Sequence, residues 1–245
     1  MVHTKCQIRK VFSRTYNICG DTESSTANTL FNQVKFGLRK SFFMCIEMAT
    51  TTKSLSAFQM AIRYVREAMK SSEDFPMKGI VNVDEYVVGG YEEGKPGRSY
   101  DSTKKKAVCA VKLTNKGKVK RFYTFKIPDY SAKSLRKMFE KHIDKKAKIT
   151  TVKWKGYNPI AKDYDLTQIL SEKGSNFKAL HVMIHQVKSW IRTTYSWVSE
   201  KNINRYFDEF CYRINRFQSK VCTFNNLIRR MVKSDNILHK ELICA

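Results

Sequence analysis

The sequence predicts an α/β protein: a mixed β-sheet flanked by helices, preceded by a small, mainly helical amino-terminal region. Three observations predict it. Short runs rich in β-branched residues alternate with glycine-containing turns between residues 79 and 127. A helical repeat and one further strand follow up to residue 154, and long amphipathic stripes dominate the remainder. Strand, strand, strand, helix, strand makes an antiparallel meander followed by a helical crossover, which places both strand directions in one sheet.

Composition bounds the partner before it bounds the chemistry. In 245 residues, 46 lysines and arginines oppose 22 aspartates and glutamates, for a formal charge of +24 spread along the whole length. Such a charge on a chain long enough to bury a core points to a polyanion, and nucleic acid is the commonest one. Structural nucleic-acid proteins are equally basic, so charge supplies the partner and leaves the activity open. No apolar run reaches the roughly 18 residues that span a bilayer, and no cleavable signal pattern opens the chain. Seven cysteines at irregular spacing do not form a disulfide framework, so a reducing cytoplasm is expected.

Residues 1–32 read as polar and irregular, with Cys6 and Cys19 lacking the partners of a four-ligand zinc knuckle and only His3 nearby. Zinc is therefore not expected. From Val34 to Met69 the pattern is helical: Phe36, Phe43 and Ile46 fit one buried element, and Phe58, Ile62, Val65 and Met69 a second. These helices suit a small DNA-binding head or an ordinary helical subdomain. Ser71–Lys78, with Pro76, reads as a linker. Gly79–Gly90 then forms the first strand of the sheet. Alternation puts Val81, Val83, Glu85 and Val87 on one face and Asn82, Asp84 and Tyr86 on the other.

A basic loop, Tyr91–Lys106, leads to the runs Ala107–Leu113 and Lys118–Ile127, which Thr114-Asn115-Lys116-Gly117 joins as a hairpin. Leu135, Met138, Phe139 and Ile143 mark a helix opening at Ser131, a capping residue. Lys148–Trp154 is the fourth strand, and a helix or loop is expected after Pro159. Ile184–Tyr195 reads as a helix. Ile203, Tyr206, Phe207, Phe210, Ile214 and Phe217 form the apolar stripe of the next, and Phe224, Leu227, Ile228, Met231 and Val232 that of the last.

Asp84 is the residue that asks for an explanation. A carboxylate in an otherwise buried strand costs several kcal/mol unless it is paired, hydrogen-bonded or bound to metal. It either caps a turn or meets a lysine, or it is a metal ligand on a rigid scaffold. Metal-dependent nucleases and transposases of ribonuclease-H-like fold share this element order, with acids on the first and fourth strands. Two-ion phosphodiester chemistry needs such carboxylates to converge on ions about 4 Å apart. The fourth strand, Thr150-Thr151-Val152-Lys153-Trp154, contains no acid. Asp208 and Glu209 read as structural, with Glu209 and Arg213 at helical pairing distance. Trp154 and Tyr157 read as core in preference to base-stacking groups. Lys104, Lys105, Lys106, Lys153 and Arg192 are candidate phosphate contacts, with a solvated face as the alternative for the lysine run.

Four stretches together resemble the IS1595-type (ISXO2-like) insertion-sequence transposases, which carry a DDE-class catalytic domain of ribonuclease-H-like fold. They are Val83-Asp84-Glu85-Tyr86-Val87-Val88-Gly89-Gly90, Trp154-Lys155-Gly156-Tyr157, His185-Gln186-Val187-Lys188-Ser189-Trp190, and the run from Arg205 to Arg216. The resemblance spans about Thr29 to Val232. It implies cleavage of element ends and their joining to target DNA with Mg²⁺ or Mn²⁺, by a protein that acts as a homo-oligomer. It places the first catalytic aspartate on Asp84 and the second on the position occupied by Val152, which has no oxygen to offer a cation. It matches the third ligand to Gln186 and sets Lys188 beside it as a phosphate contact. Asp163 and Asp165 are not expected to replace the missing acid. The domain reading is residues 1–32 as a zinc-ribbon remnant, 33–78 as a helical DNA-binding region and linker, 79–235 as the catalytic domain, and 236–245 as a tail. Val152 leaves two function classes open: a transposase, or a catalytically inactive DNA-binding protein derived from one.

Overall fold

The computed structural model describes residues 13–15, 19–24, 26–32, 38–50, 65–90, 92–93, 102–195, 198–217 and 220–233. The chain divides into two compact units, Lys70–Phe217 and a unit made of Met1–Met69 with Gln218–Ala245.

The larger unit is built on a five-stranded sheet. Its strands, in chain order, are β3 (Ile80–Val88), β4 (Lys105–Leu113), β5 (Val119–Lys126), β6 (Lys148–Val152) and β7 (Leu166–Ile169). Their spatial order is β5-β4-β3-β6-β7, with β3, β4 and β5 antiparallel and β6 and β7 parallel to β3. The meander and crossover legible in the sequence are both present. At the hairpin, Gly117 has φ +72°, a left-handed conformation that favours glycine, and its N–H donates to the Thr114 carbonyl at 2.8 Å.

Helix α2 (Ala132–His142) covers one face of the sheet. The side chain of Ser131 caps it, accepting from the Ser134 N–H at 3.3 Å, while Asp129 Oδ1 accepts from the Ser131 N–H. Leu135, Met138 and Phe139 pack on Val81, Val83, Val108 and Ala110. Helices α3 (Lys178–Thr194) and α4 (Ile203–Ile214) cover the other face, where Leu180, Ile184, Val187, Phe207 and Phe210 pack on Tyr86, Val88, Cys109 and Val111. The alternation read along β3 is therefore realised: Val81 and Val83 serve the α2 side, and Tyr86 the α3 side. Burying both faces is what makes β3 nearly continuous in apolar residues.

Several expectations need correction. Strand β7 was not anticipated, since Leu166-Thr167-Gln168-Ile169 is too short and polar to announce itself, and pairing with β6 makes it a strand. Helix α3 begins at Lys178, well before Ile184. Phe217 is 68% exposed and does not continue the α4 stripe.

In the smaller unit, β1 (Ser13–Thr15) and β2 (Thr22–Ser24) form a short hairpin within a segment expected to be irregular. Cys19 is exposed; Cys6 and His3 lie outside the described residues. Helix α1 (Leu38–Thr50) buries Ser41, Met44 and Cys45, whereas Phe43 and Ile46, expected inside, are 59% and 41% exposed. The element is apolar around much of its circumference, so its phase is set by its partner, α5 (Lys220–Lys233). The Leu30 N–H donates to the Met231 carbonyl at 3.1 Å, and Cys45 Sγ lies 3.2 Å from Met231 Sδ. These contacts group residues 218–245 with the amino-terminal unit, whereas the sequence reading carried the catalytic domain to residue 235. Phe58 and Ile62 lie outside the described residues; Val65 and Met69 are buried.

Candidate functional site

Asp84 sits in the middle of β3, only 6% exposed, on the face that α3 covers. Its Oδ1 accepts from the Glu85 N–H at 2.8 Å, and its backbone carbonyl lies 3.5 Å from Cys109 Sγ. Its strand neighbour on one side is Cys109 of β4. On the other side, β3 and β6 run parallel through the pairs Ile80–Lys148, Val81–Ile149, Asn82–Thr150 and Val83–Thr151. One further step in that register sets Val152 beside Asp84, and laterally adjacent residues of parallel strands share a face. Val152 is half-buried and packs with the core on the α3 side.

Helix α3 brings Lys188 over this face, its ammonium 5.6 Å from the centre of the Tyr86 ring. The ring is fixed in turn, since its hydroxyl hydrogen-bonds Thr124 Oγ1 at 2.8 Å and Thr124 donates to the Val108 carbonyl. Burial is the main reason that the Lys188 pKa falls below its ordinary value. The Lys104 charge pushes it further down, while Cys109 and the Asp84 carboxylate pull it back up. Asp84 and Lys104 thus both act on Lys188, on the α3 side of β3.

The other predicted contacts divide. Arg192 is exposed one turn beyond Lys188, and Lys153 is exposed immediately after Val152. Lys105 pairs with Val88, whereas Lys106 pairs with Val87 and sits 5.8 Å from the Tyr130 ring, so the lysine run splits between the two faces. Gln186 is exposed and lies two residues before Lys188, roughly 200° around the helix axis. It therefore sits on the other flank of α3 from Lys188. His181, seven residues before Lys188, shares the flank with it instead. Its Nε2 is buried with no hydrogen-bond partner, and burial, then the His185 and Lys188 charges, lowers its pKa. The apolar spacing Leu180, Met183, Ile184, Val187, Ile191 was the signal that would have phased the helix and found it.

Of the other acids, Asp163 and Glu209 have structural partners. Asp163 accepts from Arg136 Nη1 of α2 at 2.5 Å and Asp165 is exposed, its carbonyl accepting from the Ile149 N–H. Glu209 is wholly buried, bound by Arg213 at 2.9 Å and by the Tyr195 hydroxyl at 3.1 Å. Trp154 donates from Nε1 to the Tyr130 carbonyl at 3.0 Å, and Tyr157 is buried against Phe139. Between them a Cβ on Gly156 would lie 2.7 Å from the Tyr130 oxygen and 2.8 Å from Trp154 Nε1. The Trp-Lys-Gly-Tyr motif is therefore a close-packed corner that fixes the end of β6.

The family model of the ISXO2-like transposase domain matches residues 76–215, more than half of the chain. The chain belongs to this family. No curated protein matches it. The match covers the sheet, α2, α3 and α4, and the observed mixed sheet flanked by helices is the ribonuclease-H-like arrangement of DDE transposases. Residues 29–75 and 216–232, included in the sequence resemblance, lie outside it. Family membership carries a DDE-type transposase function, DNA binding and a metal-dependent mechanism at the general level. No described helix is long and apolar enough to cross a membrane.

The donors around Asp84 in this transposase domain do not fit a two-ion centre. Asp84 offers one carboxylate, Val152 offers no oxygen, and Gln186 is exposed on the other flank of α3 from Lys188. Among the described residues, no group of three or more His, Cys, Asp or Glu side chains converges.

Proposed function

We propose that the chain is an insertion-sequence DNA transposase by descent, directed at the terminal inverted repeats of its element and at target DNA. Its metal-dependent cleavage and strand transfer are impaired because Val152 stands where the family has its second catalytic aspartate. One observation carries this reading: the parallel register of β3 and β6, continued by one residue, sets Val152 beside Asp84. An isopropyl group there supplies no ligand. Removing a single charge-stabilising group from an active site costs about 2.7–4 kcal/mol, or roughly 10²–10³-fold in rate, and a metal ligand is not expected to cost less.

In this reading Asp84 remains the one carboxylate able to hold Mg²⁺ or Mn²⁺. Lys188 contacts a DNA phosphate, with Lys104, Lys153 and Arg192 along the approach. Gln186 is the third-ligand position that family resemblance supplies, where an amide oxygen can hold Mg²⁺ without a formal charge. Zinc has no part in the proposal. A homo-oligomer in a reducing bacterial cytoplasm, associated with the nucleoid when bound to DNA, completes it.

The second reading, a catalytically inactive DNA-binding protein, draws on the +24 charge and the intact fold. The deciding experiment runs cleavage and strand transfer on terminal-repeat DNA with Mg²⁺ or Mn²⁺, the native chain beside Val152→Asp. The proposal expects a silent or slow native chain and a gain of about 10²-fold on substitution. Full activity in the native chain refutes the assignment of Val152. Silence in both favours the inactive binding protein.

A further inference from the structure

At the end of the sheet opposite the carboxyl end of β3 lies an open groove of about 700 Å³. It is lined by Lys78, Lys112, Lys116, Lys118 and Lys120, together with Gly79 and Ile80 at the start of β3. The lysines converge from three places: the entry to β3, the end of β4, and the β4–β5 turn with the start of β5. Among the described residues the only carboxylate within salt-bridge reach is Asp144, 3.8 Å from Lys78 Nζ, and Lys112, Lys116, Lys118 and Lys120 have no ion-pair partner. Arg121, next along β5, is engaged elsewhere, donating to the Phe75 carbonyl at 2.7 Å.

The groove is separate from the catalytic face in two respects. Ile80 precedes Asp84 by four strand residues, or about 13 Å along β3. Lys112 pairs with Val81 and so belongs to the α2 face, whereas Asp84 belongs to the α3 face. The function proposed above does not use these lysines.

We propose that this groove is a second nucleic-acid site, which holds the phosphate backbone of duplex DNA independently of sequence and apart from the DNA presented to Asp84. The inference rests on the proposed DNA-binding role and adds where a second segment is held. A solvated hairpin tip would also carry lysines, which discourage edge-to-edge pairing beside β5, the last strand of the sheet. Two features separate the groove from that case. Its cations face one concavity from different elements, and they repel one another across it. Burial, then the neighbouring Lys120, Arg121 and Lys78 charges, lowers the Lys112 pKa below its ordinary value. A row of phosphates relieves that repulsion and releases condensed counterions, which makes binding steeply salt-dependent. The groove offers no stacking platform of aromatic rings and no helix to enter a major groove, so backbone contact is the mode it fits.

The test measures affinity of the full chain for a short duplex of arbitrary sequence at several salt concentrations, by fluorescence anisotropy. Lys116, Lys118 and Lys120, all exposed, are changed together to Gln, so folding is not at stake. A charge-matched control changes the exposed Lys133, Lys137 and Lys162 to Gln. If three phosphate contacts are lost, the log–log salt slope falls by roughly 2.7, at about 0.9 per contact, and the control retains the native slope. An unchanged slope in the groove variant overturns the groove and leaves the DNA-binding role intact. So does an equal fall in the control, which would show an effect of net charge alone. A native chain that fails to bind the duplex at low salt overturns the DNA-binding role itself, and the groove with it.

Discussion

Replacing Val152 with aspartate tests the site without needing the element's own DNA. Adjacent parallel strands lie about 4.8 Å apart, so the introduced carboxylate would face Asp84 at about 5 Å. At an effective dielectric constant near 20, two like charges at that separation repel by about 3 kcal/mol. Losing the packing of a half-buried valine adds about 1 kcal/mol. Without divalent ions, the variant should therefore be about 3–4 kcal/mol less stable than the native chain, unless one of the two acids protonates. Mn²⁺ or Mg²⁺ bound between the carboxylates offsets most of that loss. At 100 times its dissociation constant an ion adds about 2.7 kcal/mol, which the native chain should not gain to the same extent. Urea unfolding with and without Mn²⁺, read for both chains, supplies all four values. The reasoning is refuted if the variant loses little stability without metal and responds to Mn²⁺ no more than the native chain. The two side chains would then not share a site.

Three other outcomes follow from the packing around this centre. Gly156→Ala must displace the Tyr130 carbonyl or break the Trp154 hydrogen bond, so a loss of about 1–3 kcal/mol in chemical denaturation is expected. Glu209→Ala leaves the largely buried Arg213 without its carboxylate, and a loss of about 3–5 kcal/mol is expected, read as a lowered urea midpoint. His142 is buried and stacked on Tyr123 at 4.2 Å, and burial lowers its pKa from 6.5 to about 4, so the unfolded chain binds the extra proton between those values. Its contribution to stability is complete above pH 6.5 and is lost as pH falls towards 4, by up to about 3 kcal/mol. Asp208, raised by burial to about 7, works in the opposite direction over much of that range. Asp208→Asn should therefore steepen the acid loss, and His142→Phe should flatten it, in unfolding measured from pH 4 to 7.

What the sequence disclosed and what it withheld follow from how local each signal is. The β4–β5 hairpin, the Ser131 cap and the two faces of β3 are written in adjacent residues, and all are present as read. Strand β7 is a strand only because β6 lies beside it, which no property of Leu166-Thr167-Gln168-Ile169 announces. The inward face of α1 depends on α5, almost the full length of the chain away, so Phe43 and Ile46 were assigned to the wrong side. At the site, Asp84 was legible because a buried carboxylate in a valine-rich strand is conspicuous. The placement of Gln186 was a matter of motif spacing. Helical phase turns that residue outward and turns His181 to the flank that Lys188 occupies.

On the proposed reading, the electrostatics around Asp84 account for a domain that loses a ligand and keeps its fold. Two facing carboxylates on a buried sheet are a liability whenever no cation separates them, so an active centre of this kind is held at the expense of stability. A valine at residue 152 removes one charge and adds apolar packing against the core beneath α3. The Asp84 carboxylate then acts on the Lys188 ammonium, raising a pKa that burial and Lys104 lower. Apart from Lys153, which directly follows residue 152, the basic residues proposed to meet DNA lie on other elements. A substitution that removes chemistry therefore has no reason to remove binding, and selection on the fold or on DNA binding has no reason to reverse it.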